Sequence, residues 1–396
     1  MPGPAPAGRL RWDIAEIVRR HRAKLEAVVR LTPQQRRVLD AMELCRTAAL
    51  GGHLDVCRAC RYEHPAYNSC RNRHCPKCSA LAQERWIGAR SARLLPVRHF
   101  HVVFTLPGGL RRLCKYRPAE LFDALFTAAS ETLLELGRTR LSAQLGVTMV
   151  LHTWTRDLRL HPHVHAIVTA GGLGIEDDRW VASGHKFLFP VHVMSALLRG
   201  KMMSALHRLH ARGGFSGFDD FADPEGFDRL MTRLAKSRWV VYAKKPFREA
   251  RFVLRYLGRY THRVAISSSR LRNVTDAAVT FRTKDGKIAT LAPVEFLRRF
   301  VQHVLPDGLH KIRHFGLYSS SHVAERLPLA RAFLTAHASM PPSRETDSAS
   351  TVSTSWPELL RRLTGRDVDR CPQCGALVEH VPLRPTARAP PPRWAA

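Results

Sequence analysis

Two cysteine pairs in the first quarter of the sequence have the spacing of a metal site. Cys57 and Cys60 form one C-x-x-C pair, and Cys75 and Cys78 form a second pair after 14 intervening residues. Four thiolates in this pattern can surround a zinc ion tetrahedrally, so we expect these cysteines to bind structural Zn²⁺. Other residues of the stretch could replace a ligand or build a second site, namely Cys70, His53, His64 and His74.

The stretch between and around these pairs is basic. Arg71 and Arg73 lie inside it, so DNA contact and a purely structural zinc module are both open interpretations. A late pair, Cys371 and Cys374, is half of such a motif with no second pair after it. We interpret it as a degenerate zinc finger or as a pair whose metal is completed by a partner.

The alternating histidines His161, His163 and His165 indicate a second kind of metal site. In a β-strand, residues i and i+2 share a face, so His163 and His165 would project together, and paired imidazoles suit a divalent metal. His152 lies 11 residues before His163, and a hairpin would bring it across from the pair as a third ligand. A histidine-rich surface strand is the competing interpretation in a chain with 21 histidines.

Two tyrosines four residues apart, Tyr256 and Tyr260, would share one face of a helix. A tyrosine oxygen can attack a phosphodiester and hold the cut strand as a phosphotyrosine, which keeps the bond energy for rejoining. Spacing alone favours a packed aromatic pair, and Gly258 between the tyrosines weakens a helix. The surrounding positive charge would suit DNA and comes from Arg255, Arg259 and Arg263.

The segments that must position these residues predict an α+β fold. Residues 11–50 have helical periodicity with a break at Thr32-Pro33. Strand, helix, strand and strand are then predicted over 99–105, 117–137, 147–155 and 163–169. This order, with an antiparallel pair, is typical of an α+β domain. Later segments predict mostly helix over 191–237, strand at 239–243, helix over 247–260 and small-sheet strands at 264–268 and 279–283.

We divide the chain by composition. The predicted parts are a tail and helical segment at 1–50, a zinc module at 51–95, a catalytic domain at 96–325, and a linker and Pro/Arg-rich tail at 326–396.

The charge balance indicates a polyanionic partner. Lys and Arg number 63 against 33 Asp and Glu, a net charge of +30, and such a balance is the usual sign of nucleic-acid binding. No apolar run approaches the roughly 18 residues of a membrane helix, and the N-terminus lacks an apolar signal core. We therefore expect a cytoplasmic protein that associates with the nucleoid when bound to DNA and has no membrane partner.

Together these residues resemble the two-tyrosine transposases of the insertion sequence 91 family, members of the HUH endonuclease superfamily. The resemblance covers about residues 40–325. Its motifs are GGHLDVCRAC and YNSCRNRHCPKC within 51–78, RHFHVVFTLP at 98–107, LHTW and HPHVHAIV within 151–168, VVYAKKPF at 240–247, YLGRYTHRVAIS at 256–267 and HKIRHFGLYSS at 310–320.

The resemblance implies an HUH-type central antiparallel sheet flanked by helices, preceded by a helical and zinc-binding module. It implies His163 and His165 as metal ligands and Tyr256 and Tyr260 as nucleophiles. His152 fits best as the third ligand, with His161 and His101 as alternatives. Phosphate chemistry favours a hard cation, Mg²⁺ or Mn²⁺.

The implied function is rolling-circle transposition through a 5′-phosphotyrosine intermediate, with single-stranded DNA, transposon ends and target DNA as partners. The sequence has no G-x4-G-K-[ST] motif, so we expect unwinding to depend on a host helicase or on replication. Two alternatives remain open: a plasmid replication initiator or relaxase with the same chemistry, and a non-catalytic zinc-containing DNA-binding regulator.

Overall fold

The computed structural model describes residues 12–91, 93–177, 179–184, 188–247, 258, 265–336 and 355–386. Within them the chain has the α+β fold that the sequence predicts, and its strands form three antiparallel sheets. Tyr256 and Tyr260 lie outside the described residues, as do Arg255, Arg259 and Arg263. No helix within the described ranges is long and apolar enough to cross a membrane.

The helices are α1 (Ile14–Val28), α2 (Pro33–Leu44), α3 (Ser79–Ser91), α4 (Arg111–Tyr116), α5 (Pro118–Leu141), α6 (Val191–Ala211), α7 (Asp219–Ala222), α8 (Pro224–Lys236), α9 (Pro293–Val301), α10 (Arg326–Ala336) and α11 (Trp356–Thr364). The strands are β1 (Gly52–Val56), β2 (Glu63–Tyr67), β3 (His99–Thr105), β4 (Ala143–Trp154), β5 (Leu160–Gly174), β6 (Trp180–Ala182), β7 (Val240–Phe247), β8 (Leu271–Val274), β9 (Val279–Arg282), β10 (Ile288–Leu291), β11 (Ile312–Gly316) and β12 (Glu379–Leu383).

The central sheet has the strand order β11-β4-β5-β3-β7, and β6 pairs with β5. All its pairings are antiparallel. The long hairpin β4–β5 supplies the middle of the sheet, and β3 pairs along seven residues of β5. Both strands of the hairpin are longer than the sequence predicts, because regular pairing continues past the apolar segments.

The two faces of this sheet differ in chemistry. One face presents apolar side chains such as Phe104, Met149 and Val164, which join the main hydrophobic core with Leu125 and Phe126 of α5. Because side chains alternate along a strand, the histidines of β3, β4 and β5 lie on the opposite face. We call this opposite side the histidine face.

Helices α1 and α2 pack on the later part of the chain. Their apolar side chains, including Ile17 and Leu39, share a core with Phe281 of β9 and Phe296 of α9. Thr32 and Gln35 form a capping box that starts α2 at Pro33. The N-terminal helical segment therefore supports the small sheet of β8, β9 and β10.

Two differences from the sequence prediction concern strands. Residues 265–267 are not a strand, and 268–270 form a 3-10 turn. Ala265 adopts a left-handed φ of 57°, which ends an extended segment. Strand β12 pairs with β1 over five residues, although the sequence places it in a C-terminal tail.

Candidate metal centre and zinc module

Three histidines converge on the histidine face of the central sheet. His152 on β4 lies directly opposite His163 on β5, and His165 lies two residues further along β5 on the same face. One ring nitrogen from each lies within 4.8 Å of those of the other two. The structure thus brings together the three side chains that the sequence predicts as metal ligands.

Burial keeps these imidazoles neutral. Removal from water lowers the pKa of His163 to about 4 and that of His165 to about 2, and it lowers the pKa of His152 well below 6.5. A neutral imidazole has a lone pair to offer a metal. His163 Nδ1 donates to the backbone carbonyl of His161 at 2.7 Å, so its Nε2 is the atom with that lone pair.

His101, on the neighbouring strand β3, contacts His165 but is not part of the cluster. Its Nε2 is 2.7 Å from His165 Nδ1, and both residues are buried. A hydrogen bond between these nitrogens fixes the orientation of the His165 ring and makes Nε2 the nitrogen that could bind a metal. Among the alternatives for the third ligand, His101 therefore has the geometry of a positioning residue, and His161 contributes its backbone carbonyl.

A buried lysine lies next to the histidines and was not singled out from the sequence. Lys311 Nζ is 4.9 Å from the centre of the Trp154 ring, and that ring stacks on His152 at 5.0 Å between centroids. Burial lowers the pKa of Lys311 to about 7. The signal for it was present, because Lys311 lies in the segment HKIRHFG at 310–316.

Helix α3 covers part of the histidine face. Trp86 packs against Val150 of β4 and Ile167 of β5. Next to it in α3 is Ile87, whose Cδ1 would be 2.4 Å from a Cβ added at helical Gly258. A side chain at Gly258 would therefore displace the Ile87 side chain of α3. This contact brings the residue midway between the two predicted tyrosines to a helix that lies on the histidine face.

The cysteines form two clusters, and their composition differs from the prediction. The first cluster is Cys45, Cys70, Cys75 and Cys78. Its sulfurs lie 3.4 Å apart for Cys45 and Cys78, and 3.6 Å apart for Cys70 and Cys78. Cys57 and Cys60 are absent from it, so the prediction that both C-x-x-C pairs share one site is wrong.

The β1–β2 hairpin separates the two pairs. Cys57 follows directly after β1, at the turn of the hairpin, whereas Cys70 follows β2 at its open end. A five-residue strand is about 17 Å long, so the two ends cannot hold one ion. Cys57 and Cys60 instead cluster with the late pair Cys371 and Cys374.

The other residues considered for zinc have different contacts. His74 is buried, and its Nε2 accepts a hydrogen bond from the Leu305 amide at 3.1 Å. His53 Nε2 lies 3.2 Å from an Asp55 oxygen in a half-buried group with His380. His64 is an exposed residue of β2.

The basic residues of the zinc module also differ from one another. Arg73 donates to the carbonyls of Leu309 and Pro306 at 2.8 and 2.9 Å, so its guanidinium fastens the loop before β11. Arg71 is exposed, so of the two predicted arginines it is the one whose side chain is accessible to solvent.

Comparison with known proteins places this arrangement in a family. A family model described as "Transposase zinc-binding domain" matches residues 17–106, and one described as "Putative transposase" matches residues 146–326. A protein of Sinorhizobium fredii named "Putative transposase y4qJ" is 40% identical over 374 residues, covering 91% of this chain and 92% of the relative. The chain belongs to the transposases of the insertion sequence 91 family.

The transposase for insertion sequence element IS801 of Pseudomonas savastanoi pv. phaseolicola is 32% identical over 299 residues, covering 72% of this chain and 71% of the relative. No solved structure matches the transposase. The first cysteine cluster lies wholly within the matched zinc-binding domain, whereas Cys371 and Cys374 lie beyond both matched regions.

Proposed function

We propose that this transposase cleaves and rejoins single-stranded DNA by metal-assisted tyrosine attack, in rolling-circle-type transposition of its insertion sequence. The cluster of His152, His163 and His165 carries the proposal, because three neutral imidazoles on a rigid sheet form a binding site for a divalent cation. The resemblance to HUH endonucleases also implies a pair of metal-binding histidines on a central strand of the sheet.

The donor set fits a metal ion with open coordination positions. Three protein ligands leave positions for phosphate oxygens and water, which is the pattern of a catalytic rather than a structural site. Mg²⁺ or Mn²⁺ bound here would stabilise the charge that develops on the scissile phosphate. Around it, His101 orients His165, and the buried Lys311 lies near His152 across the Trp154 ring.

Tyr256 and Tyr260 are the proposed nucleophiles. The phenol oxygen of one tyrosine, on losing its proton, forms a bond to phosphorus while the bond from phosphorus to the 3′-oxygen breaks. That oxygen takes up a proton and leaves as a 3′-hydroxyl, and the downstream strand stays attached as a 5′-phosphotyrosine. The second tyrosine can cut another strand in the same way, after which a 3′-hydroxyl attacks the phosphotyrosine and releases the tyrosine. The contact of Gly258 with α3 supports this role for the segment.

Positive charge beside the histidine face would hold the DNA. Arg90, Arg93 and Arg313 line a groove of about 690 Å³ together with His310, Ile312 and His314. Asp123 and Asp307 also line it, so the three arginines outnumber the acidic side chains. Ile312 and His314 pair with Val150 and Thr148 of β4 and so lie on the histidine face. Together with Arg71 and the proposed contacts Arg255, Arg259 and Arg263, this groove provides the phosphate contacts that dominate affinity for nucleic acid. Strand separation would come from a host helicase or from replication.

The decisive experiment uses oligonucleotides that cover both ends of the insertion sequence, labelled at the 3′ end. With Mn²⁺ or Mg²⁺, the labelled fragment should migrate with the protein on a denaturing gel, because the 5′-phosphotyrosine retains that fragment. The same oligonucleotides labelled at the 5′ end should release a shorter fragment with a 3′-hydroxyl. DNA binding without any adduct would contradict the proposal and favour a non-catalytic regulator.

A further inference from the structure

We propose that Cys57, Cys60, Cys371 and Cys374 bind a second structural zinc ion, which fastens the C-terminal segment 355–386 to the N-terminal zinc module. Each half of the site offers one C-x-x-C pair. The two halves are 311 to 317 residues apart in sequence. This inference is independent of the cleavage chemistry proposed above.

The sulfur positions fit a tetrahedral metal site. Cys57 Sγ lies 3.5 Å from Cys374 Sγ, and Cys60 Sγ lies 3.5 Å from Cys371 Sγ. A disulfide requires about 2.05 Å, whereas four thiolates at about 2.3 Å from zinc lie ~3.8 Å from one another. The separations also match those of the first cysteine cluster, 3.4 and 3.6 Å, which lies in the matched zinc-binding domain.

The first pair lies in a tight turn held by two backbone hydrogen bonds. The amide of Cys57 donates to the carbonyl of Tyr62 at 2.9 Å, and the amide of Arg61 donates to the carbonyl of Cys57 at 2.9 Å. Arg61, directly after Cys60, has a left-handed φ of 59°. This turn directs the sulfurs of both cysteines to one side.

The late pair repeats this turn position by position. The amide of Cys371 donates to the carbonyl of Ala376 at 2.7 Å, and the amide of Gly375 donates to the carbonyl of Cys371 at 2.9 Å. Gly375, directly after Cys374, has a left-handed φ of 76°. Two copies of one turn, facing each other through four sulfurs, form a closed structural site in which all four ligands are cysteine thiolates.

Other contacts hold the two halves in this position. Strand β12 pairs with β1 through five consecutive residues, from Gly52 with Leu383 to Val56 with Glu379. Beside the cysteines, Arg58 forms an ion pair with Glu379 at 2.7 Å between exposed side chains. An exposed ion pair and a short strand pairing contribute little stability alone. A metal site at their end would add the main contribution to docking.

The metal content of the intact protein tests the proposal without any substitution. We expect two zinc ions per full-length chain by elemental analysis, and two equivalents of Co²⁺ with tetrahedral thiolate absorption after exchange. One zinc ion per chain, or iron in place of the second zinc, would overturn the assignment.

Alkylation mapped by mass spectrometry tests which cysteines share the ion. In the double variant Cys371→Ser, Cys374→Ser we expect one zinc ion, with Cys57 and Cys60 newly alkylated and the first cluster still protected. Cys114→Ser is the matched control, because buried Cys114 belongs to neither cluster, and it should keep two ions. Continued protection of Cys57 and Cys60 in the double variant would contradict the proposal.

A double variant in the first cysteine cluster controls for general unfolding as the cause of the new alkylation. Cys75→Ser, Cys78→Ser should expose Cys45 and Cys70 to alkylation while Cys57 and Cys60 stay protected. If Cys57 and Cys60 became reactive in this variant and not in the C-terminal one, the two C-x-x-C pairs of the N-terminal module would share an ion after all.

Discussion

His152 on β4 and His163 on β5 face each other as a direct cross-strand pair. The antiparallel register of the hairpin sets this relationship, since a slip by one residue would turn one of the two rings to the apolar face. The ten residues between them are the length of chain needed to leave β4, turn and return at the same level. The spacing between His152 and His163 in the sequence is therefore set by the length of the hairpin connection.

The metal centre predicts separate effects on cleavage and on DNA binding. His152→Ala, His163→Ala and His165→Ala should each reduce cleavage of single-stranded DNA by about 10²-fold or more, the scale of losing one group that stabilises transition-state charge. DNA affinity should stay nearly unchanged, because it comes mainly from Lys and Arg contacts with phosphates. Gel-shift and cleavage assays measure both, with exposed His192→Ala as the control. Full cleavage by His163→Ala in EDTA would refute the metal role.

His101 should act through His165. His101→Leu removes the hydrogen bond at 2.7 Å between the two imidazoles, and we expect metal affinity to fall 10–100-fold, the usual effect of losing such an orienting partner. Cleavage measured against Mn²⁺ concentration should recover at saturating metal. A loss of rate that saturating Mn²⁺ does not restore would show that His101 does more than position His165.

The tyrosine pair predicts a loss of covalent chemistry without a loss of stability. Tyr256→Phe, Tyr260→Phe should bind DNA normally and form no adduct, since phenylalanine lacks the attacking oxygen. If the tyrosines only packed in the core, each substitution would lower the free energy of unfolding by about 0.5–1.5 kcal/mol, and activity would persist. Each single variant should still form one adduct and fail to complete paired cleavages.

Mass spectrometry of the trapped adduct identifies the nucleophile. The rival is Tyr242, which is exposed and lies on the histidine face two strands from His165. Tyr318 is a poor rival because it is buried and its hydroxyl lies 2.9 Å from His99 Nε2. Tyr242→Phe should leave the adduct intact. A nucleotide attached to Tyr242 would show that Tyr242 is the nucleophile, and the tyrosine-based cleavage chemistry would still hold.

His99 predicts part of the acid sensitivity of the fold. Burial lowers its pKa to about 4, whereas the unfolded residue titrates near 6.5. The unfolded state therefore binds more protons, and stability is present above pH 6.5 and is lost as the pH falls toward 4. Between pH 7 and 5 this residue should account for about 2 kcal/mol of the free energy of unfolding.

Denaturant titrations at the two pH values measure this contribution. Between pH 7 and pH 5, the free energy of unfolding of His99→Gln should fall by about 2 kcal/mol less than that of the wild-type protein. The exposed control His192→Gln should show the same fall as the wild type. An unchanged pH dependence in His99→Gln would mean that His99 titrates normally in the folded protein.

Because Gly258 lies close to Ile87, we expect Gly258→Ala to lower the stability of the wild-type protein but to raise that of the Ile87→Ala variant. Gly258→Ala should destabilise the protein, because the new Cβ would be 2.4 Å from Ile87 Cδ1 and overpacking costs about 1–3 kcal/mol. In an Ile87→Ala background the same change should stabilise by about 1 kcal/mol, the helix preference of alanine over glycine. Additive effects in this double-mutant cycle would show that the two residues do not touch.

The sequence predicts the hairpin and its histidines well, because a period of two and a fixed register are local properties. It predicts the cysteine clusters poorly, because the separation of Cys57 from Cys75 depends on the hairpin between them. Cys45 carries no spacing signal, and Cys371 comes close to Cys57 where β12 pairs with β1. The strand expected at 264–268 is absent over the described residues 265–268, because the left-handed turn at Ala265 does not follow from apolar composition.

The cysteine cluster that joins the two ends of the described chain has a consequence for synthesis. Cys60 leaves the ribosome 311 residues ahead of Cys371, which at about 5–20 residues per second is an interval of roughly 15–60 s. During this interval the early pair has only half of its cluster, so a prematurely terminated polypeptide never completes it. A chain that ends before the second cysteine pair therefore keeps Cys57 and Cys60 without their partners in the cluster and β1 without β12.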